Sequence, residues 1–263
     1  MPTIAPVLPD HPCLDTFQEA VRKWQLQPDQ RCLLIVDAAQ CGEHEVTRAL
    51  YTEESNPNWF WLFENSPLKA FADAGPIVVD TVPESKFCQH ALMQWVDTGL
   101  LFLFTESAAE KAVAGLRGML SVDLENAGPC FLRTYDTRFL QVLSACQPEQ
   151  MAELAGVDST WIWSVDLLNH VQWSGFQATG ASKPVKTRKD RDFERSLSWA
   201  FGWPSCLPCV DRDQWADATT LTRFIVHQWH SGIAWEHYAK SLDAQWQAFR
   251  IGEEEIVAEP GKA

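Results

Sequence analysis

Residues 131–140 read FLRTYDTRFL and set two arginines, a tyrosine and an aspartate among apolar neighbours. Three kinds of chemistry fit such a set: a catalytic centre, a salt-bridged corner, or a surface that docks a partner. Asp136 is placed to cap a helix starting near Thr137, accepting the free backbone N–H groups of its first turn. Phe139, Leu140 and Leu143 then face the core. Arg133, three residues before Asp136, and Arg138, two after, each supply a cation, with the aromatic face of Tyr135 beside them. A corner loaded this way can clamp a neighbouring loop or a partner's carboxylate. On residue chemistry alone, the structural and the partner-binding readings of Arg133, Tyr135, Asp136 and Arg138 both stand.

Two other groupings are candidates. Cys206 and Cys209 form CLPC, a Cys-x-x-Cys spacing used in redox centres and zinc sites, and His227 and His230 can complete a ligand set. Only two residues separate those histidines, short of the usual three to five, and Pro204 and Pro208 offer a rigid loop into which both thiols pack. No metal and no cofactor is therefore expected. His44 stands between Glu43 and Glu45 just after an apolar run, where α/β proteins often keep active-site groups, and the same letters describe a solvated loop. No nucleophile elbow, phosphate loop or zinc-protease helix motif accompanies it. The expectation is a non-enzyme with no catalytic residue.

The elements that must position these residues alternate along the first part of the chain. Leu14, Phe17, Val21 and Trp24 share one helical face, ended by Pro28 and Asp29. Continuous apolar runs at 32–38, 59–64, 76–82 and 100–104 predict buried strands, the first with its C-terminal end near Asp37. Phe87, Ala91, Leu92 and Trp95 predict a helix stopped at Gly99. SAAE at 107–110 has the form of a capping box opening a helix with Ala109, Val113, Leu116 and Leu120 inward. Strands at 120–124 and 130–135 are separated by ENAGP, a turn composition, and WIWSV at 161–165 is a further strand. Helical patterns follow: Trp215, Ala218, Leu221, Ile225 and Trp229 mark one helix, and Trp235, Tyr238, Leu242, Trp246 and Phe249 another. The expected fold class is α/β: an N-terminal lobe, residues 1–168, with a mixed β-sheet and flanking helices, and a mainly α-helical C-terminal lobe, residues 169–263. Trp235, Tyr238, Trp246 and Phe249 are candidates for an aromatic interface, with core packing as the alternative.

Composition narrows the function class. The 263 residues carry a formal net charge of −14, which repels a polyanion and excludes general nucleic-acid binding. The charge is uneven: residues 1–182 hold 10 Lys/Arg against 23 Asp/Glu, and residues 183–263 hold 11 against 12. The basic run at 183–195 reads as a solvated linker or helix start. Thirteen tryptophans are present, nine of them from Trp161 to Trp246, so this part leans on large aromatic bodies. No run approaches the 18 or so apolar residues of a membrane span, and the proline-rich N-terminus lacks the basic and apolar regions of a secretory signal. A cytoplasmic location with no membrane partner is expected, and the eight cysteines are expected to be reduced thiols.

The order of these pieces resembles a family of bacterial type VI secretion adaptor chaperones. The resemblance is carried by LLIVDAA at 33–39, ALY at 49–51, the block GLLFLFTESAAEKAVAGLRGMLSVDL at 99–124, and FLRTYDTRFL, which is similar to the family's Arg-Phe-Tyr-Asp-Pro-Arg corner. Arg133, Tyr135, Asp136 and Arg138 fall on that motif, while Thr134 replaces an aromatic and Thr137 the proline. Proline at the first helical position lacks the N–H left unsatisfied there, so threonine gives up preorganisation without removing the cap. The resemblance spans roughly residues 30–165. It implies a cytoplasmic, non-catalytic adaptor that binds a type VI effector, a toxin, and loads it onto the VgrG spike. The alternatives are a metal- or thiol-dependent enzyme or domain using Cys206, Cys209, His227 and His230, and another, immunity-like binding partner from a type VI locus.

Overall fold

The computed structural model describes residues 13–24, 30–42, 44–124, 128–155, 159–166, 171–178, 198–199, 202 and 218–230. Six strands form one sheet: β1 (Arg31–Val36), β2 (Asn58–Trp61), β3 (Ile77–Thr81), β4 (Leu101–Thr105), a pair β5 (Ser121–Leu124) and β6 (Gly128–Phe131) standing apart, then β7 (Ser159–Asp166) and β8 (Val171–Gln177). The sheet order is β2-β3-β1-β4-β7-β8, and β5 pairs only with β6.

The α/β class holds, but the strand directions differ from the expected mixture: every pairing in the sheet is antiparallel. The runs at 32–38, 76–82 and 100–104 mark strands buried on two faces, a burial most common in parallel sheets, whereas the run expected as a buried strand at 59–64 gives an edge strand, β2, that ends at Trp61 and is at most half-buried. Here helices cover both faces of an antiparallel sheet. On β1, Leu33 and Ile35 join one core and Cys32, Leu34 and Val36 the other. The second core is closed by α1 (Phe17–Lys23), α3 (Glu45–Glu53) and α4 (Lys86–Gln94) through Phe17, Val46, Leu50, Phe87 and Ala91. The first is closed by α5 (Ala109–Gly118), α6 (Thr137–Cys146), α7 (Pro148–Ala155) and α8 (Ala218–His230) through Val113, Leu116, Phe139, Leu143, Met151 and Phe224. A four-residue α2 (Ala38–Cys41) follows β1 directly.

Several boundaries move for identifiable reasons. Helix α1 opens at a capping box made by Thr16 and Glu19, leaving Leu14 to bridge Trp173 on the rim of β8. The capping box expected at 107–110 does not form: the N-cap of α5 is Ala108, and the Ser107 amide donates to Thr105 Oγ1. The strand expected at 130–135 stops at Phe131, because the Thr134 amide donates back to the Leu132 carbonyl and Asp136 N–H to the Arg133 carbonyl, turning the chain. Strand β8 falls at the start of the lobe expected to be mainly α-helical. Its Trp173 is buried among Phe17 and Phe102, and the 168/169 division lies inside the β7–β8 hairpin.

Trp161, Trp163 and Trp199 are fully buried, so these tryptophans are core. Among the described residues Cys32, Cys41, Cys88 and Cys130 are free thiols. No helix among the described residues is long and apolar enough to cross a membrane.

Candidate functional site

The corner at 132–138 is built from two sequence-distant halves. Strand β1 runs apolar from Cys32 to Val36 and delivers Asp37 at its end, with that residue 6 % exposed. A carboxylate this deep costs several kcal/mol unless it is paired and hydrogen-bonded. Two donors meet its Oδ2: Gln40 Nε2 at 2.8 Å, from the turn of α2, and Arg133 Nη2 at 2.9 Å, from across the fold.

Arg133 is held at three points. Besides Asp37, its Nε donates to Tyr135 Oη at 3.2 Å, and its guanidinium carbon lies 5.3 Å from the centre of the Tyr135 ring. The ring packs in turn against Phe63. Burial works against the Arg133 charge, but Tyr135, Asp136 and Asp37 outweigh it and hold the guanidinium above its ordinary pKa. Burial likewise pushes the Tyr135 phenol up, against the pull of Arg133. The Arg133 side chain remains 43 % exposed, so the cation is anchored from beneath and open above.

Asp136 does what its place before α6 predicts. Its Oδ1 accepts from the Arg138 backbone N–H at 3.1 Å, and its carbonyl takes the Leu140 amide. The same carboxylate is gripped by the Arg138 side chain, Nε to Oδ1 at 2.8 Å and Nη2 to Oδ2 at 2.5 Å. That bidentate bond first, and the Asp136 charge with it, raises the Arg138 pKa. Each arginine therefore has its own aspartate. Phe139, Leu140 and Leu143 are buried as expected.

The two residues that depart from the family pattern leave visible consequences. Thr134 is 1 % exposed and its hydroxyl has no hydrogen-bond partner, whereas an aromatic side chain would carry no such buried group. Thr137 is buried against Gly99, where a Cβ would lie 2.7 Å from Thr137 Oγ1. Gly99 has φ +89°, so the residue read as a helix stop also provides the space under the corner. Around it lies a cleft of ≈ 210 Å³, lined by Asp37, Gln40, Asp97, Thr98, Asp136 and Arg138 among others.

His227 and His230 lie at the end of α8 with exposed side chains, His227 beside Gln228 and His230 edge-on to Trp229. Cys206 and Cys209, and the aromatic set Trp235, Tyr238, Trp246 and Phe249, lie outside the described residues. Among the described residues no three His, Cys, Asp or Glu side chains form a group able to hold a metal ion. His44 adopts a left-handed conformation at the N-cap of α3 and is exposed. The residues that sequence reasoning missed are Asp37 and Gln40. The available signal was an aspartate ending an otherwise wholly apolar strand, a place where a charge needs a partner from elsewhere.

With this geometry in place, a protein-family model described as a domain of unknown function, DUF4123, matches residues 32–153. The match encloses both halves of the corner, Asp37 and Arg133 to Arg138, and ends before β7, β8 and α8. No curated protein and no solved structure matches the chain.

Proposed function

We propose that this protein is a cytoplasmic adaptor chaperone that holds a type VI secretion effector and presents it to the VgrG spike, acting by grip and not by catalysis. The observation that carries the reading is Arg133, pinned by Asp37 and Tyr135 yet 43 % exposed. A guanidinium whose rotamer freedom is already spent loses little more on meeting a partner, which is how interface arginines contribute most. The segment matched by the domain model, 32–153, also falls within the span of about 30–165 that resembles the adaptor family.

The test is retention of partners by the full chain in a lysate from a type VI-positive strain. Recovery of a large effector together with the spike protein supports the role. Recovery of neither, with a small protein held instead, replaces it with the immunity-like reading. Stoichiometric zinc in untagged protein, lost along with folding on changing Cys206, replaces it with the metal-dependent one.

A further inference from the structure

The segment leading into the corner alternates in exposure. Phe131 is 59 % exposed, Leu132 is buried, Arg133 is exposed, Thr134 is buried, and Tyr135 is half-buried. Buried Leu132, held by the Leu120 carbonyl, lies between two exposed residues, so Phe131 and Arg133 face outward together where the chain leaves β6 and begins to turn. Phenylalanine this exposed beside a fixed arginine and a tyrosine is the composition of an interface anchor.

The backbone at Phe131 is open as well. The Leu132 amide donates to the Leu120 carbonyl, which fixes the phase of the β5–β6 ladder. Hydrogen-bonded pairs then alternate, falling at Cys130 with Val122 and leaving the Phe131 N–H and C=O directed away from β5. They have no backbone partner among the described residues. Pro129, in the same phase, has no N–H to offer on that edge, so Phe131 supplies its open N–H.

Arg133 lies two residues further on, at the start of the turn. A guanidinium carries five N–H donors. Asp37 and Tyr135 take one each, on Nη2 and Nε, which leaves the Nη1 end of the fork and one further Nη2 hydrogen. The matching group is a carboxylate, bound in bidentate fashion.

We infer that this edge takes an extended partner segment in which an apolar side chain lies over Phe131 and an Asp or Glu two residues away meets Arg133. The inference rests on the adaptor reading and names the chemistry of the partner's contact at that site. The occupant is set by hydrogen-bond geometry: Asp37 fills the inner side of the fork, and the N–H groups left on Nη1 and Nη2 match the two oxygens of a carboxylate. The chain's −14 opposes acidic bodies at long range, so the carboxylate is a single one delivered by short contacts.

The experiment uses the full chain and three blocked peptides, TETITET, TQTITQT and TKTITKT, whose polar residue flanks the isoleucine in both strand directions. The expected result is binding of the Glu peptide at least tenfold tighter than the Gln peptide, with the Lys peptide weaker still. Phe131→Ala weakens the Glu peptide at least fivefold, and Arg133→Lys, which keeps the charge but loses the fork, abolishes the preference for Glu over Gln. Equal binding of the Glu and Gln peptides, preference for the Lys peptide, no binding, or full affinity in Phe131→Ala overturns the inference. Partner retention separates the two levels. If the unaltered chain holds an effector and Phe131→Ala and Arg133→Lys hold it equally well, this contact falls and the adaptor role stands. If the unaltered chain holds none, the adaptor role itself falls.

Discussion

Removing the Arg133 side chain tests the construction of the corner most directly. In Arg133→Ala the Asp37 carboxylate keeps Gln40 Nε2 and loses its only cationic partner among the described residues. Stranding one member of a fully buried ion pair costs about 3–5 kcal/mol, and an exposed pair is worth about 0.2–1 kcal/mol. Asp37 belongs to the first case and Arg133, 43 % exposed, lies nearer the second. The expected loss is therefore about 2 kcal/mol, or roughly 4–8 °C in Tm for a chain of this size. Asp37→Asn removes the charge but keeps an acceptor, so it costs about 1 kcal/mol alone. The double variant returns part of the loss, because Arg133 no longer leaves a buried charge behind, giving a coupling of about 1 kcal/mol. Urea unfolding of the four proteins, followed by tryptophan fluorescence, measures it. Additivity within about 0.3 kcal/mol, or a Tm change under about 1 °C in Arg133→Ala, would refute the claim that the buried aspartate and the arginine form one unit.

Asp136→Ala removes the cap of α6 and the bidentate partner of Arg138, and is expected to cost about 2 kcal/mol against about 1 for Arg138→Ala, read from the same urea curves. Gln141, 2 % exposed on α6, accepts from Trp163 Nε1 and donates to Thr222 Oγ1 on α8. Gln141→Leu leaves both without that partner and is expected to lose about 2 kcal/mol, with faster amide exchange in 218–230; unchanged exchange there refutes the link. Burial first, with smaller local contributions, pushes Cys41 up to about 11 and Cys88 to about 12 from an ordinary 9.0. Folded thiols then hold protons that unfolded ones release, so stability is complete below pH 9 and falls as pH rises toward those values. The slope is at most about 1.4 kcal/mol per pH unit per thiol. A urea midpoint that stays constant from pH 8 to 10.5 contradicts this, and Cys88→Ala is expected to reduce the slope.

Local signals located most of the corner. Asp136 before a helical run of Phe139, Leu140 and Leu143 has one reading, an N-cap, because an orphan N–H needs an acceptor within the same turn. The choice of partner for Arg133 was not legible in this way. Sequence spacing offered Asp136, three residues away; the structure gives Asp136 to Arg138 and sends Arg133 to Asp37, 96 residues distant. Strand β8 escaped because the alternation of Val171, Gln172, Trp173 and Ser174 is short and breaks at Gly175, and the strand is held by pairing with β7 and by Trp173 in the core. The capping box at Thr16 and Glu19 was available and the one at Ser107 was misleading, since both satisfy the same four-letter spacing and only the path of the chain decides which turn begins there.

The sequence by itself determined that β1, β3 and β4 are buried on two faces, where the corner lies, and that Asp136 starts a helix, since each is written in a run of a few residues. Strand direction, the pairing of Arg133 with Asp37, and the shared outward side of Phe131 and Arg133 were decided by tertiary structure alone. Each depends on which distant backbone arrives alongside, and a charge at the end of an apolar strand states only that it needs a partner, not where in the chain that partner lies.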